Sequence, residues 1–151
     1  MLNGNSSNNR HKSIVTTHLI LNSFNKTLLT LRKNTGYADG LYSVITGGVD
    51  AGETIIEATI REAWEEVGVI VYEADLKFCC VLHRRGEVGY DNFFFVANSW
   101  RGDARNCEPD KCQEVGFHYK AIFPPNVLPY VKQAFKCLER GIYFEEITSQ
   151  M

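Results

Sequence analysis

Glu62, Glu65 and Glu66 stand at i, i+3 and i+4 in a stretch with helical spacing, which crowds their carboxylates onto one face. Two like charges roughly 5–6 Å apart repel by about 3 kcal/mol at an effective dielectric of about 20, and by only a few tenths of a kcal/mol on an exposed helix. A solvated acidic surface therefore tolerates this pattern. A hard divalent cation also suits it, because magnesium prefers oxygen ligands, keeps several waters, and binds through a few carboxylates plus substrate phosphates. Spacing alone leaves both readings open.

The elements around the glutamates narrow the choice. Residues 54–67 read as one helix, with Thr54 as N-cap and Glu57 as its capping-box partner. Ile56, Ile60, Ala63, Trp64 and Val67 recur at helical spacing and predict a core-facing stripe opposite the acids. Gly68 supplies the stop. Gly47, Gly48 and Gly52 precede the helix, where backbone can turn or approach a ligand without a Cβ in the way.

The order of residues across this stretch, GGVDAGETIIEATIREAWEEVGV, is more specific than any of its parts. Gly47, Glu53, Arg61-Glu62, Glu65-Glu66 and Gly68-Val69 resemble the Nudix box, G-x5-E-x7-R-E-U-x-E-E-x-G-U, at every defined position, with Ala63 small for its bulky U. Chance agreement of the fixed identities is on the order of one in a million. The box covers 23 of the 151 residues.

Fainter similarity surrounds it. TGYADGLYSVITGGVDAGE resembles the segment that leads into the box in MutT-like Nudix hydrolases, but Ile45-Thr46 stands where proline-glycine is frequent and Gly48 where histidine is frequent. NCEPDKC, residues 106–112, resembles an N-x-E-P-x-K-C segment of a subset acting on nucleoside triphosphates. Phe117 then stands where tryptophan is common.

The resemblance implies a Nudix fold: an α/β (α+β) arrangement with a mixed β-sheet sandwiched between α-helices. It implies magnesium- or manganese-dependent hydrolysis of a nucleoside diphosphate linked to another group, with a MutT-like nucleoside triphosphate pyrophosphohydrolase as the favoured form. Glu62, Glu65 and Glu66 would be the metal ligands, joined by the Gly47 carbonyl and by Glu108. Glu53 would assist the site, Arg61 would hold the glutamates by ion pairing, and Glu65 or Glu66 would be the general base. Tyr37, Tyr42, Phe94 and Phe117 are candidates for stacking on a base, and Lys111 for meeting phosphate; Arg32, Arg84 and Arg85 are further cations. The alternatives are an ADP-ribose or nucleotide-sugar hydrolase and a non-catalytic Nudix nucleotide-binding module. Arg84-Arg85 stands where ADP-ribose-type members often have proline, and the full set of box glutamates counts against the module.

The rest of the chain is consistent with one domain. Residues 1–12 are polar and aperiodic and predict a disordered tail; residues 13–144 predict the domain, and 145–151 a C-terminal tail. Strands are expected over 13–21, 27–32, 41–46, 73–83, 90–97 and 115–122, with residues 78–82 buried. A second helix is expected over 128–140, with Val131, Ala134, Phe135 and Leu138 inward and Gly141 as its stop. A net charge of −2 gives no electrostatic footprint for bulk nucleic acid, though it permits a single nucleotide. No apolar run is long enough to span a bilayer. Five cysteines without C-x-x-C spacing, and no visible signal segment, predict reduced thiols and a cytoplasmic location. A homodimer is compatible with the aromatic strand at residues 91–97.

Overall fold

Alternation along the first strand sends its side chains to two opposite cores. The computed structural model describes residues 9–148, so the tail expected at 1–12 lies mostly outside the described residues. Strand β1 (Ser13–Ser23) places Ile20 in one core and Leu19 and Leu21 in the other. It pairs in parallel with β6 (Gly89–Ala97), whose Phe94 and Val96 join Ile20 while Phe95 and Ala97 join Leu19. A sheet buried on both faces needs cover on both. Helix α1 (Ile55–Val67) covers one face through Ala63 and Val67, and α2 (Pro129–Arg140) covers the other through Val131, Ala134 and Cys137.

The remaining strands complete a mixed sheet. β1 also pairs antiparallel with β4 (Ile45–Gly48), and its last residues turn into a hairpin with β2 (Lys26–Arg32). β2 is flanked by β3 (Tyr42–Ser43) and β7 (Cys112–Tyr119). β5 (Leu76–Arg84) runs antiparallel to β6 and ends the sheet with β8 (Phe144–Ile147), which is parallel to it. The expected sandwich of a mixed sheet between helices is what forms.

Several local expectations need correction. Residues 145–147 are not tail but the edge strand β8; a short, charge-rich FEEI run carries little strand signal, and its pairing comes from distant β5. Of the expected stripe on α1, Ala63 and Val67 are buried, but Trp64 is 54% exposed, because Ala58 and Thr59 turn inward on the other side of them. Phe78 is also exposed, because a register shift between Phe78 and Cys80 lets the adjacent Cys79 and Cys80 both enter the core. On α2, Leu138 faces outward and Tyr130 and Cys137 face inward. Phe94, expected against a substrate base, is fully buried and stacks on His18 with ring centroids 4.3 Å apart. It is a core residue.

His18 carries a polar cluster into that core. Its Nδ1 lies 2.9 Å from the Thr46 hydroxyl and its Nε2 3.2 Å from the Asn92 amide oxygen. Desolvation pushes its pKa from 6.5 down to about 3, against the upward pull of the Asn92 hydrogen bond. The unfolded chain gains a proton at this residue below about pH 6.5, while the folded chain stays neutral until about pH 3. His18 therefore contributes stability that is fully present above pH 6.5 and is lost as pH falls toward 3. Urea unfolding of the parent should weaken between these limits by roughly 1.4 kcal/mol per pH unit more than that of a His18→Gln variant, which has no such proton.

Candidate active site

Helix α1 is set in place before any chemistry is considered. Its N-terminus carries the expected capping box, with the Thr54 hydroxyl accepting from the Glu57 N–H and the Glu57 carboxylate accepting from the Thr54 N–H. Its C-terminus ends on Gly68 in the left-handed conformation, φ 71°. The buried Thr59 hydroxyl meets that of Thr17 and ties the helix to β1. Gly47 on β4 lies so close beneath the helix that a Cβ there would overlap the Glu62 carboxylate. A side chain at this position would displace that carboxylate, and no special backbone angle is involved.

Arg61 organises the acids. Its Nε and Nη2 donate to the two Glu53 oxygens at 2.7 and 3.0 Å. Its Nη1 donates to Glu62 at 2.7 Å and to Glu65 at 3.1 Å, and Nη2 also donates to the Gly48 carbonyl at 3.0 Å. A guanidinium has five N–H donors, so all are used within the box and none is left for a ligand. The bidentate pair holds the Glu53 carboxyl down at about 2, helped by the Asp50 N–H.

The other acids are less compensated. The Glu62 side chain is 13% exposed against 47% for Glu65, so the three glutamates do not share one solvated face. Desolvation raises the Glu62 pKa despite its bond to Arg61. Glu66 is more deeply sunk, and its pKa is raised well above the usual carboxylate value, first by desolvation and next by the Glu62 charge. Among the described residues, its hydrogen-bond partner is the Thr46 N–H, at 3.3 Å.

These groups open into a cleft of about 450 Å³. Glu62, Glu65, Glu66 and Glu108 line it together with two cations, Arg32 and Lys111. Glu108 arrives on a loop pinned by Asn106, whose amide oxygen accepts from the Glu108 N–H and whose amide nitrogen donates to the Cys112 carbonyl. Arg32 is clasped by the 33–40 loop, donating to the Tyr37 carbonyl and the Thr35 hydroxyl. The Asp39 carboxylate stiffens that loop by accepting from the Thr35 hydroxyl and from the Thr35 and Gly36 N–H groups, which hold its pKa below the usual value.

The donor set suits a hard divalent cation. Glu66 is a sunken carboxylate with one long hydrogen bond, and both Glu62 and Glu108 add to its charge repulsion. A bound cation would reverse that penalty and supply what Arg61, fully engaged elsewhere, does not. Among the described residues no three acidic, histidine or cysteine side chains converge as a closed metal cage, and Arg61 bonds one oxygen each of Glu62 and Glu65.

A second cavity, about 180 Å³, shares Arg32 and Thr46 with the first. Tyr37 lines it with Arg84, Tyr90, Asn92, His18 and Tyr130. Of the residues expected at a substrate, Lys111 thus lines the first cavity and Tyr37 the second. Tyr42 lines neither; its hydroxyl donates to Glu114 and its ring meets His118 edge-on. Phe117 also lies outside both and stacks on Trp100. Arg85 lines neither cavity. Sequence reasoning missed Thr46, Asn92 and Tyr130. The threonine departure at position 46 was a visible signal, whereas Asn92 and Tyr130 meet His18 only through tertiary packing.

A mixed sheet with a core on each face and an arginine-braced acidic helix beside a cleft is the arrangement that the Nudix resemblance predicts. The NUDIX domain family model matches residues 11–140, and the chain belongs to that family. A MutT NUDIX hydrolase from Burkholderia pseudomallei superposes with a TM-score of 0.77 at 21% identity, covering 85% of this chain and 99% of that one. The NUDIX domain of Shewanella oneidensis NrtR, solved with ADP ribose, gives 0.69 at 15% identity, covering 91% of this chain and 94% of that one. These likenesses concern the fold. The NAD-capped RNA hydrolase NudC of Chromobacterium violaceum is 49% identical over 43 residues, which is 28% of this chain and 16% of that protein.

The five-donor clamp makes Arg61 irreplaceable by lysine, which has three donors and no planar fork. Arg61→Lys should lower turnover of any accepted substrate about tenfold or more and lower the melting temperature. Steady-state assay beside thermal denaturation checks both.

Proposed function

We propose that this protein hydrolyses a phosphoanhydride bond in a nucleoside diphosphate linked to another group, with a nucleoside triphosphate converted to the monophosphate and pyrophosphate as the favoured reaction. The observation that carries the reading is the sunken Glu66, facing Glu62 and Glu108 in a cleft that also holds Arg32 and Lys111. Glu62, Glu65, Glu66, Glu108 and the Gly47 carbonyl would hold Mg2+ or Mn2+. A divalent cation held there would neutralise phosphate charge and lower the pKa of a bound water.

The chain's own groups supply the rest. Arg32 and Lys111 bind the anionic chain, and Arg32 is already oriented by Thr35 and Tyr37. Arg61 and Glu53 keep the glutamates in register without touching substrate. Water attacks a phosphorus of the α–β anhydride, and its proton passes to Glu65 or Glu66. The bond from that phosphorus to the bridging oxygen breaks, so that the oxygen leaves with the other fragment as monophosphate and pyrophosphate separate. The second cavity, which shares Arg32 and Thr46 with the cleft as lining residues, gives the rest of the nucleotide a place beside Tyr37. Five free thiols suit a cytoplasmic setting.

A panel of nucleoside triphosphates, ADP-ribose, nucleotide sugars, dinucleoside polyphosphates and NAD-capped RNA, incubated with Mg2+ and resolved by chromatography, tests this. Nucleoside triphosphates should give monophosphate and pyrophosphate, and Glu66→Gln should lower that rate by about a hundredfold or more. Cleavage of ADP-ribose or a nucleotide sugar alone would replace the favoured substrate. No cleavage by a folded protein that binds Mn2+ would favour a nucleotide-binding role instead.

A further inference from the structure

Glu66 is the deepest of the acidic groups, yet the backbone N–H of Thr46 is what orients it. The Thr46 side chain is held in turn. Thr46 and His18 are register partners across β4 and β1, and the Thr46 hydroxyl lies 2.9 Å from His18 Nδ1. A glycine at this position would present the same N–H but no hydroxyl.

The hydrogen-bond directions follow from the far end of the cluster. The Asn92 amide nitrogen donates to the Leu82 carbonyl at 3.0 Å and faces that of Tyr90 at 3.4 Å, so its oxygen must face Thr16 and His18. The Thr16 hydroxyl gives its proton to that oxygen. Both neighbours of His18 Nε2, Thr16 at 3.0 Å and Asn92 at 3.2 Å, are then acceptors, so Nε2 carries the ring proton. Nδ1 is left with a lone pair that faces the Thr46 hydroxyl at 2.9 Å, and the Val44 carbonyl, 3.1 Å from the same hydroxyl, is the other acceptor for its one proton. The ring cannot readily turn, because Phe94 stacks on its face and Tyr130 meets its edge with centroids 5.5 Å away.

We propose that His18, neutral and protonated on Nε2, is a positioning residue for the reaction: by accepting the Thr46 hydroxyl proton it holds the Thr46 N–H on Glu66 and so sets the direction of that carboxylate. The proposal rests on the reading of Glu66 as a metal ligand. His18 touches neither metal nor phosphate in this role. It makes Asn92 on β6, His18 on β1, Thr46 on β4 and Glu66 on α1 one braced line. Outer groups that orient ligands in this way typically change metal affinity about 10- to 100-fold when removed.

Nitrogen-15 NMR of the metal-free parent should show the Nε2–H tautomer of His18; the Nδ1–H tautomer overturns the proposal without any mutant. Thr46→Val keeps shape and strand propensity but removes the hydroxyl, and Thr46→Ser keeps the hydroxyl. In the valine variant the residue-46 amide proton should move upfield as its bond to Glu66 loosens, and Mn2+, titrated by electron paramagnetic resonance, should bind about tenfold more weakly. The serine variant should keep both properties near parental values, and His18→Leu should follow valine. A folded Thr46→Val protein with parental amide shift and Mn2+ affinity overturns the proposal, as does a loss confined to melting temperature. A parent that binds no Mn2+ counts against the proposed function instead, while the tautomer and amide shift still decide this one.

Discussion

One guanidinium holds the acidic half of this molecule together. Arg61 divides its five donors among Glu53, Glu62, Glu65 and the Gly48 carbonyl, so helix α1 is locked to the loop that precedes it and to the end of β4. Without a cation at this point, the box would be a run of carboxylates repelling one another at helical spacing. With it, the acids are held in a defined array, and Gly47 can sit against Glu62 with no side chain between them. The Gly48 carbonyl in that lock ties the end of β4 to α1.

The array is deliberately incomplete. Arg61 answers Glu53 fully and Glu62 and Glu65 through one oxygen each, but it does not bond to Glu66. A sunken carboxylate with one long hydrogen bond costs stability in the free protein, and such local costs are typical of sites built to bind an ion. The surrounding structure tolerates the cost because two well-packed cores, one on each sheet face, carry the fold. The polar line from Asn92 through His18 to Thr46 lines the second cavity, and Thr46 also lines the acidic cleft. Structure and chemistry are therefore not separate regions of this chain; β1 serves both, through Leu19 and Ile20 on one hand and His18 on the other.

The division between legible and hidden features follows the range of the interactions. The capping box at Thr54, the stop at Gly68 and the spacing of the acids are local, and each was readable from neighbours within a few residues. The direction in which α1 faces the sheet was legible through Ile56, Ala63 and Val67, but its edge was not: Trp64 fits the apolar stripe by period and is exposed, while Ala58 and Thr59 turn inward. Phe78 was misplaced by a one-residue register shift, and β8 by a pairing that depends on the open edge of β5. Phe94, attractive as a surface aromatic, is buried by the parallel partner that β1 provides.

The sequence by itself determined the family, the acidic helix, its caps and the arginine that braces it, because all are set by order and spacing over 23 residues of continuous chain. Tertiary structure alone decided which glutamate is sunken, which aromatic groups reach a cavity, and that His18 and Thr46 stand behind Glu66. Those outcomes depend on strands that meet across the sheet after long separations in sequence. Desolvation and hydrogen-bond direction arise only where such strands close around a group, and no local pattern encodes them.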